Sequence, residues 1–154
     1  MGAVYFYHLT QKPLQATLPV LLEKARAAGW RIAVRGPDEG RLGWLDDVLW
    51  MGAGESFLAH GLAGGPHDAL QPVLLTTGPA ANGPHCVMCV DGAEVTPKEV
   101  GDLERVCILF DGTDPDAVQT ARGQWKTLTD AGCAAQYWSE ETGRWEKKAE
   151  SKSE

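Results

Sequence analysis

The sequence predicts a layered α/β domain with a mixed, mostly parallel central sheet flanked by helices. Three observations predict it. Segments of strand composition alternate with helical patterns at both ends of the chain. The run Arg105–Phe110 is apolar almost throughout, as a strand covered on both faces must be. The chain of 154 residues suits one domain with a real core, and no repeat or long linker divides it. Residues 1–146 are expected to form that domain, and the charged 147–154 segment to fray.

Val4–Leu9 alternates, is rich in aromatics and reads as the first strand. Pro13 opens a helix through about Ala28, with Leu14, Leu18, Leu21, Leu22 and Ala25 on one face. Pro19 falls inside that pattern as a kink or a later true start, and Gly29 ends it. Trp30–Arg35 reads as a second strand, Gly36-Pro37-Asp38 as a turn and Asp38 as an N-cap. A second helix then runs to Trp50, with Leu42, Leu45 and Leu49 inward and Trp44 a further inward candidate. Gly61–Gln71 is a glycine- and proline-rich loop. Pro72–Thr76 and His85–Val90 read as strands joined in a hairpin-like piece, with a loop between them and Asp91-Gly92 as a turn. After Arg105–Phe110, Asp111–Asp114 makes a turn and cap for a third helix, Asp114–Ala131. Gly132 closes it, and Ala134–Trp138 is a last short strand.

The net charge of −7 argues against a free-standing DNA or RNA binder, which needs a basic face for phosphates. No apolar run reaches the roughly 18 residues of a membrane span. The start, Met1 to Tyr7, has no basic segment and looks like a strand rather than a signal peptide. Met-Gly begins a myristoylation motif, but Phe6 stands where Ser or Thr is needed. Four cysteines without an export signal suit a reducing cytoplasm.

The candidate chemistry is sparse. Cys86-Val87-Met88-Cys89 has CxxC spacing but sits on a strand pattern, where residues three apart face opposite ways, and no second pair completes a zinc site. Gly52-Ala53-Gly54 fails as a dinucleotide loop because it follows a helix and Phe57 takes the third glycine position. Ser56 lacks a nucleophile elbow. His8, His60, His67 and His85 show no metal spacing. No cofactor or metal is expected.

Two groups remain. Trp50, Phe57, Leu58 and His60 gather large side chains with no chemistry to do, as a surface that grips another protein does, although on composition alone Trp50 and Phe57 suit a core equally well. On the third helix, Ala117, Ala121, Trp125 and Leu128 form an inward stripe. Arg122 and Lys126 stand i,i+4 on the next stripe, beside Trp125. Two cations by an aromatic edge suit an acidic, aromatic peptide end, but they equally make an ordinary solvated basic face, the reading that the sequence alone favours.

These residues also carry a resemblance. Phe6-Tyr7-His8-Leu9, then Leu14 with Leu18-Pro19-Val20-Leu21-Leu22-Glu23-Lys24, open the match. It continues through Leu45-Asp46, Leu49-Trp50, Ser56-Phe57-Leu58, His60-Gly61 and Gln71-Pro72-Val73-Leu74-Leu75. It closes with Phe110-Asp111-Gly112, Ala121-Arg122, Trp125-Lys126 and Gly143-Arg144-Trp145. In this order and spacing the chain resembles the chi subunit of bacterial DNA polymerase III holoenzyme over nearly its whole length.

The resemblance implies a Rossmann-like fold without a nucleotide-binding loop, and an accessory, non-catalytic role. It implies two partners: the psi subunit or a replacement, which ties chi to the clamp loader, and the acidic C-terminal tail of single-stranded-DNA-binding protein. A repair helicase competes for the psi surface in some bacteria. Trp50 and Phe57, with Leu58 and His60 beside them, map to the psi or helicase surface. Arg122, Trp125, Lys126, Phe110 and Asp111 map to the tail pocket. Arg122 would hold the terminal carboxylate, Trp125 would wall the pocket, Lys126 would add charge, and Phe110 and Asp111 would form floor and lip. Asp111 and Val118 make this pocket less basic than the family pattern.

Two other readings compete. A small α/β nucleotide-binding enzyme would use the acids after the fifth strand. A direct single-strand binder would have to overcome the acidic balance.

Overall fold

The computed structural model describes residues 2–51, 60–65, 67–142 and 144–151. Its strands form one sheet. They are β1 (Ala3–Leu9), β2 (Ile32–Arg35), β3 (Gly61–Leu62), β4 (Val73–Thr76), β5 (Cys86–Cys89), β6 (Arg105–Asp111), β7 (Ala134–Ser139) and β8 (Glu146–Ser151). Their order is β3-β4-β2-β5-β6-β1-β7-β8. Every pairing is parallel except β7 with β8. The helices are α1 (Leu14–Ala27), α2 (Glu39–Met51), α3 (Pro97–Asp102) and α4 (Pro115–Asp130). The predicted α/β class, with a mixed and mostly parallel sheet, is what the chain adopts.

Alternation along the strands builds two cores. Along β6, Cys107 and Leu109 join Leu18 and Leu22 of α1 and Leu42, Leu45 and Leu49 of α2 on one face. Val106, Ile108 and Phe110 join Val100 of α3 and Ala121 and Leu128 of α4 on the other. A strand buried on both faces has no polar side to show, which is why its sequence reads as one apolar run. The same alternation splits the CxxC pair, since Cys86 enters the first core and Cys89 the second.

Helix α1 runs unbroken through Pro19. The proline removes only the hydrogen bond to the carbonyl of exposed Gln15, near the helix start, where water can replace it. Asp114 caps α4, its carboxylate accepting from the Asp116 N–H at 3.0 Å.

Three expectations are corrected. The middle of the chain is not hairpin-like: β4 and β5 both run parallel to β2, on its two sides. The connection between them crosses β2 without a helix. It is pinned by buried Asn82, whose Nδ2 donates to the carbonyls of Ile32 and Gln71.

Helix α3 was missed, although its signal is in the sequence. Thr96-Pro97-Lys98-Glu99 forms a capping box: Thr96 Oγ1 accepts from the Glu99 N–H, and Glu99 Oε1 from the Thr96 N–H.

The segment after Trp145 is strand β8, paired with β7 through residue 151 and irregular at Tyr137/Trp138. It shows no apolar alternation because it is an edge strand, and its charged side chains guard the open edge. Trp145 anchors its start by packing edge-on against Tyr7, with ring centroids 5.3 Å apart.

Candidate functional site

The residues mapped to a tail pocket lie where β1, β6 and β7 pass beneath α4. Phe6 and His8 on β1 share a sheet face with Phe110 on β6 and Tyr137 on β7. His8 lies 5.1 Å from the Phe110 ring. Its Nδ1 is 2.7 Å from Tyr137 Oη. The Tyr137 ring in turn meets Phe110 at 5.9 Å and Trp125 at 6.1 Å, and Trp125 packs edge-on against Phe6 at 5.4 Å. The result is a contiguous aromatic wall along the β7 side of α4. Gly112 is needed beside it, because a Cβ there would overlap the His8 ring.

The charges are arranged unevenly around this wall. Exposed Arg122 acts electrostatically on the Tyr137 hydroxyl. Burial raises the tyrosine pKa above its ordinary value, Arg122 opposes the rise, and Glu141 reinforces it. Lys126 turns outward to Asp130, at 3.5 Å. Asp111 turns back on its own loop, accepting from the Thr113 hydroxyl at 2.6 Å and the Thr113 N–H at 2.9 Å. These bonds hold its carboxyl below the usual range, and His8 adds a smaller push in the same direction. Arg122, Phe110 and Trp125 therefore surround one feature, whereas Lys126 and Asp111 are engaged elsewhere. Sequence reasoning missed His8 and Tyr137 as wall residues. His8 stood in a matching motif, but nothing local signalled Tyr137.

The second group lies at the far end of the sheet. Trp50 closes the last turn of α2 and is 49% exposed, so it is not core. Its ring stacks on His60 at 4.3 Å. His60 is buried, and its Nε2 lies 3.2 Å from both the main-chain oxygen and Oδ1 of Asp46. With its proton on Nε2 the ring donates to the main-chain oxygen. Met51 is exposed beside Trp50, and Leu62 is exposed on edge strand β3, against which α2 packs. Phe57 and Leu58 lie outside the described residues.

The two groups sit on opposite faces, α2 covering one and α4 the other. From β3 the aromatic wall begins four strand spacings away, at Phe110 on β6, and ends six away, at Tyr137 on β7, or roughly 19 to 29 Å at about 4.8 Å per strand.

A cleft of about 710 Å³ opens at the C-terminal ends of β1, β5 and β6, with Phe110 and Asp111 in its lining. Lys12 and Arg41 line it together with Asp91, Asp111, Asp114 and Asp116. Arg41 is already paired with Asp91 at 3.3 Å. Among the described residues, no three His, Cys, Asp or Glu side chains converge as metal ligands, and no helix is long and apolar enough to cross a membrane. Cys86, Cys89 and Cys107 are buried thiols. Burial pushes the Cys89 thiol up to about 12, and a hydrogen bond with Cys86 together with burial raises Cys107 well above its ordinary value. A thiol so raised is a poor nucleophile at neutral pH.

Comparison with known proteins agrees with the resemblance. The family profile described as "DNA polymerase III chi subunit, HolC" matches residues 1–136. The curated protein "DNA polymerase III subunit chi" of Pseudomonas aeruginosa is 32% identical over 136 residues, covering 86% of this chain and 92% of that protein.

Proposed function

The chain belongs to the DNA polymerase III chi subunit family, and from that premise we propose that it is a non-catalytic linker of the bacterial replicase. It holds the acidic C-terminal tail of single-stranded-DNA-binding protein at the α4 site. It holds the psi subunit, or a partner that replaces psi, at the α2 surface and so reaches the clamp loader. It works in the cytoplasm, where a repair helicase is a competitor for the α2 surface. The observation that carries this reading is the separation of the two groups, on opposite faces and four to six strands apart. Two partners can then be bound at once without touching.

At the α4 site, Arg122 offers a guanidinium to a terminal carboxylate, and half-buried Trp125, His8 and Tyr137, over a floor of buried Phe110, offer ring surface to an aromatic end. Lys126 and Asp111 act through longer-range charge, of opposite sign. At the other end, Trp50 and Phe57 are the anchors, with Leu58 and His60 supporting them.

Calorimetry at low salt, with a peptide ending in Asp-Phe-Pro-Phe, tests the first site. The expected result is weak binding that fades as salt rises and is mostly lost in Arg122→Ala. No heat, or full binding by Arg122→Ala, refutes the assignment. A pull-down comparing wild type, Phe57→Ala and Arg122→Ala tests the second, because two sites predict two separate sets of lost partners.

The cleft favours a second reading, a nucleotide-binding enzyme, because crevices at strand C-termini are where layered α/β proteins bind ligands. The acids lining it oppose a phosphate. A thermal-shift screen with nucleotides and divalent ions that finds a strong stabiliser overturns the linker reading.

A further inference from the structure

The cleft lies at a switch point of the sheet. β1 and β6 are neighbours, yet β1 sends its helix α1 to one face and β6 sends α4 to the other. In layered parallel sheets such a point leaves a crevice, and main-chain N–H groups of a βα turn beside it hold anions. Here the turn from β1 to α1 is Thr10-Gln11-Lys12. Its three consecutive N–H groups converge on a single atom, Glu140 Oε1, at 3.1, 3.0 and 2.9 Å. Glu140 follows directly on β7 and is 4% exposed.

A carboxylate nine-tenths removed from water needs charge-assisted partners, and this turn supplies three. The turn has matching needs. The residue before α1, Pro13, makes no side-chain cap, and the first turn of α1 carries no acid.

We propose that Glu140 is the resident anion of the β1–α1 turn that borders this crevice. Its carboxylate occupies the donor set that a phosphate would require, closes the β1–α1 turn to free anions, and ties the β7–β8 ribbon to the centre of the sheet. The fold therefore keeps the anion cradle of a nucleotide-binding domain but fills it from its own chain. The acids on the cleft wall act with the same sign, and Asp91 neutralises Arg41, one of the cleft's two named cations.

The test is the full chain, followed by amide NMR at Thr10, Gln11 and Lys12 while inorganic phosphate is added. The wild-type amides are expected to stay in place, whereas in Glu140→Ala they shift saturably as phosphate takes the vacated donors. Hydrogen exchange gives a second reading that does not need the alanine variant to fold. The three amides should exchange about tenfold faster in Glu140→Gln than in wild type, because a neutral amide oxygen is a weaker acceptor than a carboxylate. The proposal is overturned by phosphate shifting the wild-type amides, by a folded Glu140→Ala whose three amides ignore phosphate, or by equal exchange in wild type and Glu140→Gln. None of these outcomes depends on the peptide site.

Discussion

His8 Nδ1 and Tyr137 Oη lie 2.7 Å apart, a bond that locks β1 to β7 within the aromatic wall under α4. With Nδ1 unprotonated, the tyrosine hydroxyl donates. Burial holds the tyrosine pKa above its ordinary value, so the hydroxyl keeps its proton. Tyr137→Phe keeps the ring contacts and removes only this bond. It should cost about 1 kcal/mol in urea unfolding, the usual worth of one partly buried hydrogen bond.

Gly112 is expected to tolerate no side chain. A Cβ there overlaps the His8 ring and stands 2.9 Å from the Leu9 carbonyl oxygen. Gly112→Ala should destabilise by about 1–3 kcal/mol, as overpacking does. In a His8→Ala background the ring clash is gone, so the penalty should shrink. A double-mutant cycle measures that coupling, and strictly additive losses would contradict it.

The Arg35–Glu99 pair predicts a pH dependence. Its closest contact is 2.6 Å, and a second bond at 3.1 Å makes it bidentate. The Arg35 hydrogen bonds, with help from Thr96, hold Glu99 below its ordinary value of 4.5. A depressed folded pKa stabilises at pH above the unfolded value, and that contribution disappears as pH falls through the folded value. Glu99→Gln should therefore cost about 1 kcal/mol at neutral pH, held low because the Glu99 side chain is 34% exposed. The difference from wild type should vanish in acid, well below pH 4.5. Denaturant melts from neutral pH downward check both parts.

Trp50 and Leu45 lie on the same helix but should behave oppositely. Leu45 is fully buried and Trp50 is 49% exposed. Leu45→Ala leaves a cavity and should cost roughly 2–5 kcal/mol. Trp50→Ala should cost far less, while weakening capture of a partner in a pull-down. A Trp50→Ala protein as unstable as Leu45→Ala would mean that the indole serves the core.

The thiols should react in a fixed order. Cys86, Cys89 and Cys107 are buried, while Cys133 is partly accessible, its pKa raised by burial. Alkylation of the native protein at mildly alkaline pH should label Cys133 first. The other three should follow only when the sheet opens, which mass spectrometry of peptides can time.

Much of this fold can be read from the chain because its elements announce themselves locally. The apolar run of β6, the inward stripe of α4 and the aspartate cap at Asp114 are statements about neighbours a few residues apart. Even the missed α3 had a local signature, the Thr96–Glu99 capping box. Strand β8 had none, because its stability comes from main-chain pairing with β7 rather than from an apolar face of its own.

The site divides along the same line. Arg122 and Trp125 were visible as a helical stripe, and Trp50 as a large apolar residue with no chemistry. That Lys126 turns to Asp130, that Tyr137 joins His8, and that Glu140 reaches the β1–α1 turn were not visible. The sequence by itself determined the kind and order of most elements and the family to which the chain belongs, since periodicity and motif spacing are written along the chain. Only the tertiary structure decided which strands became neighbours. That choice brought residues 128 to 130 positions apart into one hydrogen-bonded turn, and a two-residue or 3.6-residue period carries no information about it.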